Sequence, residues 1–381
     1  MQRKTHTIIA VLGVLALVLA ACGGGAAPAV EVTRLVEVTR EVQVEVAGTP
    51  QVEVKEVPVK FAEAGDTLKT VTNRGKLLCG GNAGVPGFGY LDPATNQFAG
   101  FDIDFCKAIA AAIFDDSEKI EVIATTGTTR FPALQSGEVD VLIRNTTWTI
   151  SRDTSLGLDF SPITFYDGQG MMVRKDSGIT ALAGLAGGTV CVQQGTTTEK
   201  NLADVMRKLS VDYEPLVLAD AQATREAYDG GRCDGFTTDK SGLVSQQILL
   251  KEPDAHNILN ETMSKEPLGP LVRHGDNNWG DVVMWVTYCT IQAEELGITS
   301  KNVDEMLGSD DPVKLTTLGV EGDLGLALGL SADFCARVIR QVGNYGEIYA
   351  RNLGPDTPFN LPRGPNELWT NGGLQYSPPF R

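Results

Sequence analysis

The feature that most restricts the fold of this chain is an alternation of strand-like and helix-like segments that occurs twice. The strand-like segments are KLLCGG, KIEVIATT and VDVLIRN in the first series, and GGTVCVQQG, EPLVLAD and CDGFTTD in the second. Between them, segments such as DIDFCKAIAAAIF place apolar residues at helical spacing. Strands that alternate with helices form parallel sheets with right-handed crossovers. The sequence therefore predicts two α/β units, and its length of 381 residues favours the same division.

The first residues have the form of a secretion signal. Arg3 and Lys4 precede the apolar run IIAVLGVLALVLAA, which is shorter than the ~20 residues usual for a membrane-spanning helix. The next residues, LAAC ending at Cys22, resemble a bacterial lipobox, in which the signal is cut before a cysteine that then carries lipid. We predict a signal peptide at 1–21 and lipid on Cys22, with an uncleaved membrane anchor as the alternative. Both interpretations place the remaining chain outside the cytoplasm.

Residues 22–65 lack the pattern of a domain. The flexible GGGAAPA is followed by two copies of VEVTR and by further segments in which Val alternates with charge. Such a strand would have one apolar face, but no neighbouring element could cover it. We predict a lipidated, extended tether before the folded part. A short oligomerising segment is the alternative.

The formal net charge of −16 limits the classes of partner. Nucleic-acid phosphates attract basic surfaces, so we predict no nucleic-acid partner. The three histidines are scattered without metal-ligand spacing, and the sequence contains no phosphate-binding loop or nucleophile motif. We therefore predict no metal, no cofactor and no catalytic site.

Six cysteines remain if Cys22 carries lipid, and an even number in an oxidising compartment favours disulfides. The pairs that are close in sequence and share a predicted unit are Cys79–Cys106, Cys191–Cys233 and Cys289–Cys335. Free, buried thiols are the alternative for each pair.

Polar residues and glycines gather where the predicted strands end. Ligands of open parallel sheets bind beyond the carboxyl ends of the strands. The residues that we consider at these positions are Asn82, Arg130, Asn145, Thr147, Gln194, Thr197 and Asp239. Arg152 follows the first series in a turn rich in Thr and Ser. Their shared position at strand ends of both units indicates a single binding site.

Arg152 and Asp239 indicate the chemistry of a ligand. A guanidinium binds a carboxylate through two parallel hydrogen bonds, and the hydroxyls of Thr147 and Thr197 could complete that contact. Thr197 also begins a predicted helix, where free amides favour an anion. Asp239 could pair with a cation. A small molecule that carries both a carboxylate and an ammonium group is an α-amino acid.

Each of these residues also has an ordinary structural interpretation. Arg152 could be the partner in an exposed salt bridge, and Arg130 could brace strands from behind. Asp239 could be the N-cap of the helix that follows it, and the turn at Gly195 could lead into ordinary capping residues. These alternatives stay open at the level of the sequence.

Several longer segments carry a resemblance to a known family. They are GEVDVLIRNTTWTISRDTSLGLDFSPITFYDGQGMMV, KLLCGGNAGVPGFGY, GFDIDFCKAIAAAIF, TVCVQQGTTTEKNL, GRCDGFTTDKSGL, PLGPLVRHGDNNW and RQVGNYGEIYARN. Together they resemble the amino-acid-binding proteins of bacterial ABC importers, and most closely the general L-amino acid-binding branch. The resemblance extends from about Gly75 to Arg381 and leaves the N-terminal tether outside.

The resemblance implies a type II periplasmic binding fold, in which two α/β lobes are joined by a two-strand hinge. Lobe 1 would comprise residues 66–170 and 268–381, and lobe 2 residues 171–267. The chain would cross between the lobes near 166–171 and again near 264–269.

The resemblance also implies roles for single residues. Arg152 would bind the α-carboxylate of the ligand with help from Thr147 and Thr197. Asp239 and the carbonyl oxygen of Asn145 would receive the ammonium group. The neighbours of the ligand side chain would be Asn82, Arg130 and Gln194.

Two features depart from the family pattern. The first loop, GNAGVPGFG, contains no acidic residue and only Phe88 as an aromatic one, which suits broad selectivity for polar amino acids. Cys289 and Cys335 occupy positions where the family would have ordinary helix residues. Their joint presence predicts an added bridge between two C-terminal helices.

We therefore predict a monomeric lipoprotein, anchored on the periplasmic side of the cell membrane, that captures L-amino acids between its lobes and delivers them to an ABC permease. One alternative is a sensor module that reports amino-acid occupancy to a membrane partner. Another is a dehydratase-like enzyme on the same fold. The enzyme would need a general acid near the carboxylate-binding group, and the candidates are Glu199 and Asp239.

Overall fold

Most of the described part of the protein lies after the predicted tether. The computed structural model describes residues 66–381 and, before them, the backbone of two short strands, β1 (Glu41–Val42) and β2 (Glu53–Val54), which pair antiparallel. The predicted signal peptide, Cys22 and the rest of the tether lie outside the described residues. Among the helices of the described part, none is both long and apolar enough to cross a membrane.

Residues 66–381 form the predicted mixture of strands and helices. The strands are β3 (Leu77–Gly81), β4 (Gly84–Val85), β5 (Gly89–Asp92), β6 (Gln97–Ala99), β7 (Ile120–Ala124), β8 (Val141–Leu142), β9 (Leu158–Phe160), β10 (Phe165–Asp167), β11 (Gln169–Arg174), β12 (Thr189–Gln193), β13 (Glu214–Leu218), β14 (Gly235–Asp239), β15 (His256–Ile258), β16 (Glu266–Leu268) and β17 (Leu271–Arg273). The α-helices are α1 (Thr67–Arg74), α2 (Phe101–Phe114), α3 (Arg130–Ser136), α4 (Ile150–Ser155), α5 (Thr197–Leu209), α6 (Ala221–Asp229), α7 (Lys240–Gln247), α8 (Asn277–Glu295), α9 (Val303–Met306), α10 (Pro312–Thr317), α11 (Leu324–Leu328), α12 (Phe334–Val342) and α13 (Tyr345–Leu353).

Local sequence explains where several helices begin and end. The side chain of Asp276 accepts the N–H of Trp279 at 3.1 Å and so caps the start of α8. At the start of α13, Asn344 and Glu347 form a capping box. Gly137 ends α3 with a φ of 78°, a left-handed conformation that favours glycine. These signals act within one turn of the chain, which is why they can be read from sequence.

The first series of strands forms a five-stranded sheet, sheet A, in the order β7-β3-β8-β17-β9. As predicted, β3 pairs parallel with β7 and β8. The sheet is nevertheless mixed, because β17 pairs antiparallel with β8 and β9. β17 joins sheet A only after the chain has returned from the second unit, and a pattern read along the chain does not reveal that return. We refer to the part built around sheet A as lobe 1.

The second series forms another five-stranded sheet, sheet B, in the order β13-β12-β14-β11-β15. The predicted strands β12, β13 and β14 are parallel, and β11 pairs antiparallel with β14 and β15. Apolar side chains fill both faces of this sheet, among them Val190 and Leu202 on one face and Tyr228 and Phe236 on the other. We refer to the part built around sheet B as lobe 2. The residue boundaries given above for the two lobes stay a prediction.

Two antiparallel strands, β10 and β16, connect the lobes and place Phe165 opposite Leu268. The chain enters lobe 2 after β10 and leaves it through β16. The C-terminal segment braces this connection, because the side chain of Asn366 accepts the N–H of Tyr166 at 2.7 Å and donates to its carbonyl oxygen at 3.1 Å. The hinge therefore has one strand edge satisfied by a side chain that lies 200 residues away in sequence.

All three predicted disulfide pairs are confirmed. Cys79–Cys106 ties β3 to α2, with a Cα–Cα distance of 6.2 Å. Cys191–Cys233 joins β12 to the residues before β14 across 5.7 Å. Cys289–Cys335 links α8 to α12, also across 5.7 Å. Each bridge lies inside one lobe, so none of them restrains the hinge.

Candidate ligand-binding site

Arg152 is a buried cation. It lies in the short helix α4, whose first turn is fixed by the Thr149 side chain accepting the N–H of Arg152 at 3.2 Å. Only 8% of the residue is exposed, and its Nη1 donates to the carbonyl oxygen of Thr147 at 2.9 Å. Burial lowers the pKa of Arg152 to about 10, so the guanidinium stays positive at neutral pH. Among the described residues it forms no ion pair, and the exposed salt bridge considered as an alternative is not observed.

Asp239 is a buried carboxyl group that does not cap the helix after it. It ends β14 at the N-cap position of α7, but its side chain makes no capping hydrogen bond. Asp167 performs that role, because its carboxylate accepts the N–H of Ser241 at 3.2 Å. The pKa of Asp239 is raised well above its usual value, first by burial and then by repulsion from Asp167 and Glu266. A buried carboxylate without a hydrogen-bond partner among described residues is suited to bind a cation.

Arg152 and Asp239 lie close enough that each shifts the pKa of the other. Arg152 comes from lobe 1 and Asp239 from lobe 2. The structure therefore brings the two predicted charges together across the junction of the lobes.

The predicted hydroxyls of Thr147 and Thr197 also meet across this junction, 3.2 Å apart. Both donate to one oxygen of Glu266, at 2.5 Å from Thr147 and 2.9 Å from Thr197. A hydroxyl has a single proton, so both protons are engaged by Glu266 in this structure. The predicted role of the two threonines towards a ligand carboxylate stays a prediction, and it requires that these bonds be exchanged.

Glu266 is a residue that the sequence reasoning missed. It begins the hinge strand β16, is only 1% exposed, and accepts further hydrogen bonds from Asn201 and Ser264. Its carboxylate thus holds groups from both lobes at the hinge. Its position within the predicted return crossing at 264–269 was the only sequence signal that could have identified it.

Asn145 and Asn82 form the next part of the junction. Asn145 has a φ of 38°, and its N–H donates to Asp102 at 2.7 Å. Its side-chain oxygen accepts Nδ2 of Asn82 at 3.2 Å. No described N–H donates to the Asn145 carbonyl oxygen, which is therefore available for an ammonium group, as its predicted role requires.

Arg130 crosses between the lobes. Its Nη1 donates to the Thr146 hydroxyl at 3.3 Å, and its Nη2 donates to the carbonyl oxygen of Gly195 at 3.4 Å. Burial, with repulsion from two neighbouring arginines, lowers the pKa of Arg130 well below its usual value. These contacts join the two lobes at the junction and differ from the alternative considered above, in which Arg130 braces strands from behind; a contact with the ligand side chain stays a prediction.

The two lobes approach each other closely at Gly127. A Cβ atom at this position would lie 2.4 Å from the carbonyl oxygen of Gln194, so only glycine fits. Gln246 adds a further bond across the junction, from its Nε2 to the carbonyl oxygen of Gly84 at 2.7 Å. The lobes are therefore in direct contact in this structure.

A cavity of about 170 Å³ opens at the strand ends of both sheets, and Asn82, Arg144 and Gln193 are among the residues that line it. Gln194, the predicted neighbour of the ligand side chain, is exposed and does not line this cavity. The shift by one residue arises because β12 ends at Gln193 and successive side chains point to opposite sides of a strand. Arg144 and Gln193 are two further residues that sequence reasoning missed.

Two residues at the start of α5 have structural roles. The Thr196 side chain accepts the N–H of Glu199 at 3.1 Å, and the Glu199 carboxylate accepts the N–H of Gly195 at 2.8 Å. Ordinary capping, the alternative considered for this turn, therefore accounts for Thr196 and Glu199 but not for Thr197. Among the described residues no group of His, Cys, Asp and Glu side chains could hold a metal ion.

Comparisons with known proteins show which family the chain resembles. The family model described as "Bacterial extracellular solute-binding proteins, family 3" matches residues 77–302. The chain is 52% identical over 322 residues to the general L-amino acid-binding periplasmic protein AapJ of Rhizobium johnstonii, which covers 84% of this chain and 94% of the relative. It is 50% identical over 324 residues to the glutamate/glutamine/aspartate/asparagine-binding protein BztA of Rhodobacter capsulatus, covering 85% and 96%.

A solved structure gives the same result. An ABC transporter periplasmic binding protein from Brucella ovis with glutathione bound matches with a TM-score of 0.81 and 49% identity, covering 83% of this chain and 100% of that one. The predicted fold of two α/β lobes joined by two strands is confirmed. This chain belongs to the bacterial extracellular solute-binding proteins of family 3.

Proposed function

We propose that this protein captures L-amino acids outside the cytoplasm and delivers them to an ABC permease. The observation that carries the proposal is the presence of a buried guanidinium and a buried carboxyl group on the two sides of the lobe junction. Arg152 and Asp239 are buried, neither forms an ion pair with a described residue, and they come from different lobes. A zwitterion that satisfied both would stabilise the closed arrangement, because it would contact both lobes. The names of the relatives agree with this ligand class.

Ligand entry then requires the lobes to separate. Arg152 and Asp239 are only 8% and 5% exposed, so a molecule that contacts both must arrive while the junction is open. The two hinge strands are the elements on which the lobes would rotate, with 66–170 and 268–381 moving against 171–267. The closed form would present a surface from both lobes to the permease.

The remaining parts of the proposal concern anchoring, assembly and chemistry. A signal peptide at 1–21 and lipid on Cys22 would hold a monomer to the periplasmic side of the membrane.

We propose that the protein is not an enzyme, and one contact supports this. Glu199, a candidate general acid, is engaged in capping α5.

A thermal-shift screen tests the function. Ligands that bind only the folded state raise its stability by about 2.7 kcal/mol at 100 times Kd, which for a chain of this size is a rise in Tm of about 4 °C. We expect such rises with polar L-amino acids. The matched controls are N-acetyl derivatives and amides of the same amino acids, which lack one of the two charges. A screen of all common amino acids and glutathione without any rise would contradict the proposal, and so would equal rises with the blocked derivatives.

The neighbouring glutamines provide a smaller test of the site. Gln193 lines the cavity and its side chain forms no hydrogen bond with a described residue, whereas Gln194 is exposed. We expect Gln193→Ala to weaken binding of the best ligand by about three- to tenfold, because the variant loses one neutral hydrogen bond to the ligand. Gln194→Ala should leave Kd within twofold. Isothermal titration calorimetry measures both, and the reverse order would restore the position predicted from sequence.

A further inference from the structure

Arg144 is a buried cation whose side chain has no role in the site described so far. It follows Ile143 just beyond the end of β8, at the point where sheet A meets the lobe junction. Only 4% of the residue is exposed, and it lines the cavity of about 170 Å³ between the strand ends of the two sheets. That space corresponds to roughly six water molecules. Arg144 thus lies on the wall of a space large enough for part of a small molecule.

The guanidinium of Arg144 has no hydrogen-bond partner among the described residues, although Asp102 and Asp239 lie near enough to raise its pKa. Its Nε has no hydrogen-bond partner, and its guanidinium forms no ion pair or hydrogen bond with another described residue. The other two junction arginines differ, because Arg130 and Arg152 both donate to backbone or side-chain oxygens. Burial lowers the pKa of Arg144 to about 10, which leaves it positive at neutral pH. A buried cation in this state is unfavourable unless an anion approaches it.

Three carboxyl groups surround this arginine: Asp102 and Asp239 raise its pKa, and Asp220 lines the same cavity, but none of them forms an ion pair with it. Asp102 accepts the N–H of Asn145 at 2.7 Å, and burial raises its pKa to about 7. Asp220 lines the same cavity, but it caps α6 by accepting the N–H of Ala223 at 2.8 Å. The cavity wall therefore contains the carboxylate of Asp220, which caps a helix, and the guanidinium of Arg144, which forms no hydrogen bond with a described residue.

The rest of the cavity wall is polar and adjoins the proposed ammonium site. Asn82, Thr125, Thr126 and Gln193 supply amide and hydroxyl groups. Asn82 also donates to Asn145, whose carbonyl oxygen is the proposed ammonium acceptor. A ligand held there by its α-amino group would therefore extend its side chain towards this cavity.

We infer that Arg144 binds a second carboxylate of the ligand, so that the favoured ligands are amino-acid zwitterions that end in an additional acidic group. This inference rests on the proposed function and deepens it, because it names the class of side chain. Two sources share this chemistry: a dicarboxylic amino acid such as glutamate, and a γ-glutamyl peptide such as glutathione, whose terminal glycine carries the second carboxylate. A bidentate guanidinium contact suits either.

Calorimetric titration of the wild-type protein and of Arg144→Met tests the inference. The ligands are glutamate, its neutral counterpart glutamine, glutathione and the ethyl ester of its glycine carboxyl group. We expect the wild type to bind glutamate at least about tenfold more tightly than glutamine, or glutathione at least about tenfold more tightly than its ester. A preference within the glutamate–glutamine pair would identify a dicarboxylic amino acid as the ligand. A preference within the glutathione–ester pair would identify a γ-glutamyl peptide. In Arg144→Met the preference should fall to within about threefold, while binding of the neutral partner persists.

The outcomes separate the inference from the function on which it rests. Equal affinity of the wild type for acidic and neutral partners overturns the inference and leaves amino-acid capture intact. This comparison needs no variant, so it decides even if Arg144→Met does not fold. A larger thermal shift with arginine than with glutamate in the screen above would also overturn the inference and would assign the cavity to Asp220. Absence of binding to every amino acid overturns both proposals. Arg144→Lys should keep part of the preference because it keeps the charge.

Discussion

Arg152→Ala should lower the affinity for L-amino acids by about 10²- to 10⁴-fold, which in a standard titration will look like loss of binding. The proposed contact consists of two charge-assisted hydrogen bonds, each of which contributes about 1.5–3 kcal/mol, or about 3–6 kcal/mol together. The fold should survive, because the guanidinium makes only one hydrogen bond to the described chain, to the carbonyl oxygen of Thr147. Titration calorimetry with the best ligand of the thermal screen measures the loss.

A second arginine provides the control for this experiment. Arg340 lies on α12 of lobe 1, and its partially exposed side chain pairs with Asp304 at 2.7 Å. Surface pairs of this kind contribute little to stability, so Arg340→Ala should leave both Kd and Tm almost unchanged. If Arg152→Ala bound as tightly as the wild type, the assignment of the carboxylate site would be wrong. A variant with native Tm and no binding agrees with it.

The course of the backbone in both lobes was accessible from sequence because the relevant signals are local. Period-two and helical spacing identify β3, α2 and β7, and the Cys pairs lie within one lobe. The antiparallel members of the sheets were not accessible in the same way. β17 pairs with β8 although 128 residues lie between Leu142 and Leu271 in the sequence. Only the resemblance to a known family indicated such a return.

The types of charged group in the site were predicted correctly from the sequence, but some of the residues were not. Strand ends indicated a guanidinium and a carboxylate, and both are buried at the junction. The position of Gln193 rather than Gln194 depends on the last residue of β12, a boundary that sequence patterns define poorly. The capping of α7 by Asp167 in place of Asp239 depends on the hinge strand that carries Asp167, and no local pattern brings these two segments together.

Glu266 and Arg144 were missed for a shared reason. Arg144 lies just beyond the end of an apolar strand and Glu266 is the first residue of one, and charged residues are mostly exposed to solvent. Burial of Glu266 results from groups of both lobes closing over it, and burial of Arg144 results from the docking of lobe 2 on the end of β8. Contacts of this kind exist only after two distant segments have met, so they require coordinates.

Asp239→Asn should have the second large effect, and its direction differs between binding and stability. Loss of one partner of a buried charge pair weakens binding by about 2–5 kcal/mol, or about 30-fold to several thousandfold. The ligand-free protein should become more stable at neutral pH. The pKa of Asp239 is raised in the folded state, so the folded form binds more protons than the unfolded form above the usual carboxyl pKa of 3.8, and stability falls as pH rises towards the folded-state pKa. Asparagine removes that penalty.

The same raised pKa predicts how affinity varies with pH. The groups that act on Asp239 are Asp167 and Glu266, which raise its pKa together with burial, and Arg130 and Arg152, which lower it. A ligand ammonium group favours the ionised carboxylate, so binding below the raised pKa must release a proton, and log Ka should rise with pH with a slope of up to about one before it levels off. Calorimetry in buffers of different ionisation enthalpy counts the released protons. Asp239→Asn should release fewer than the wild type, whereas Asp167→Asn should still show the release. Equal proton release by the wild type and Asp239→Asn would mean that Asp239 does not receive the ammonium group.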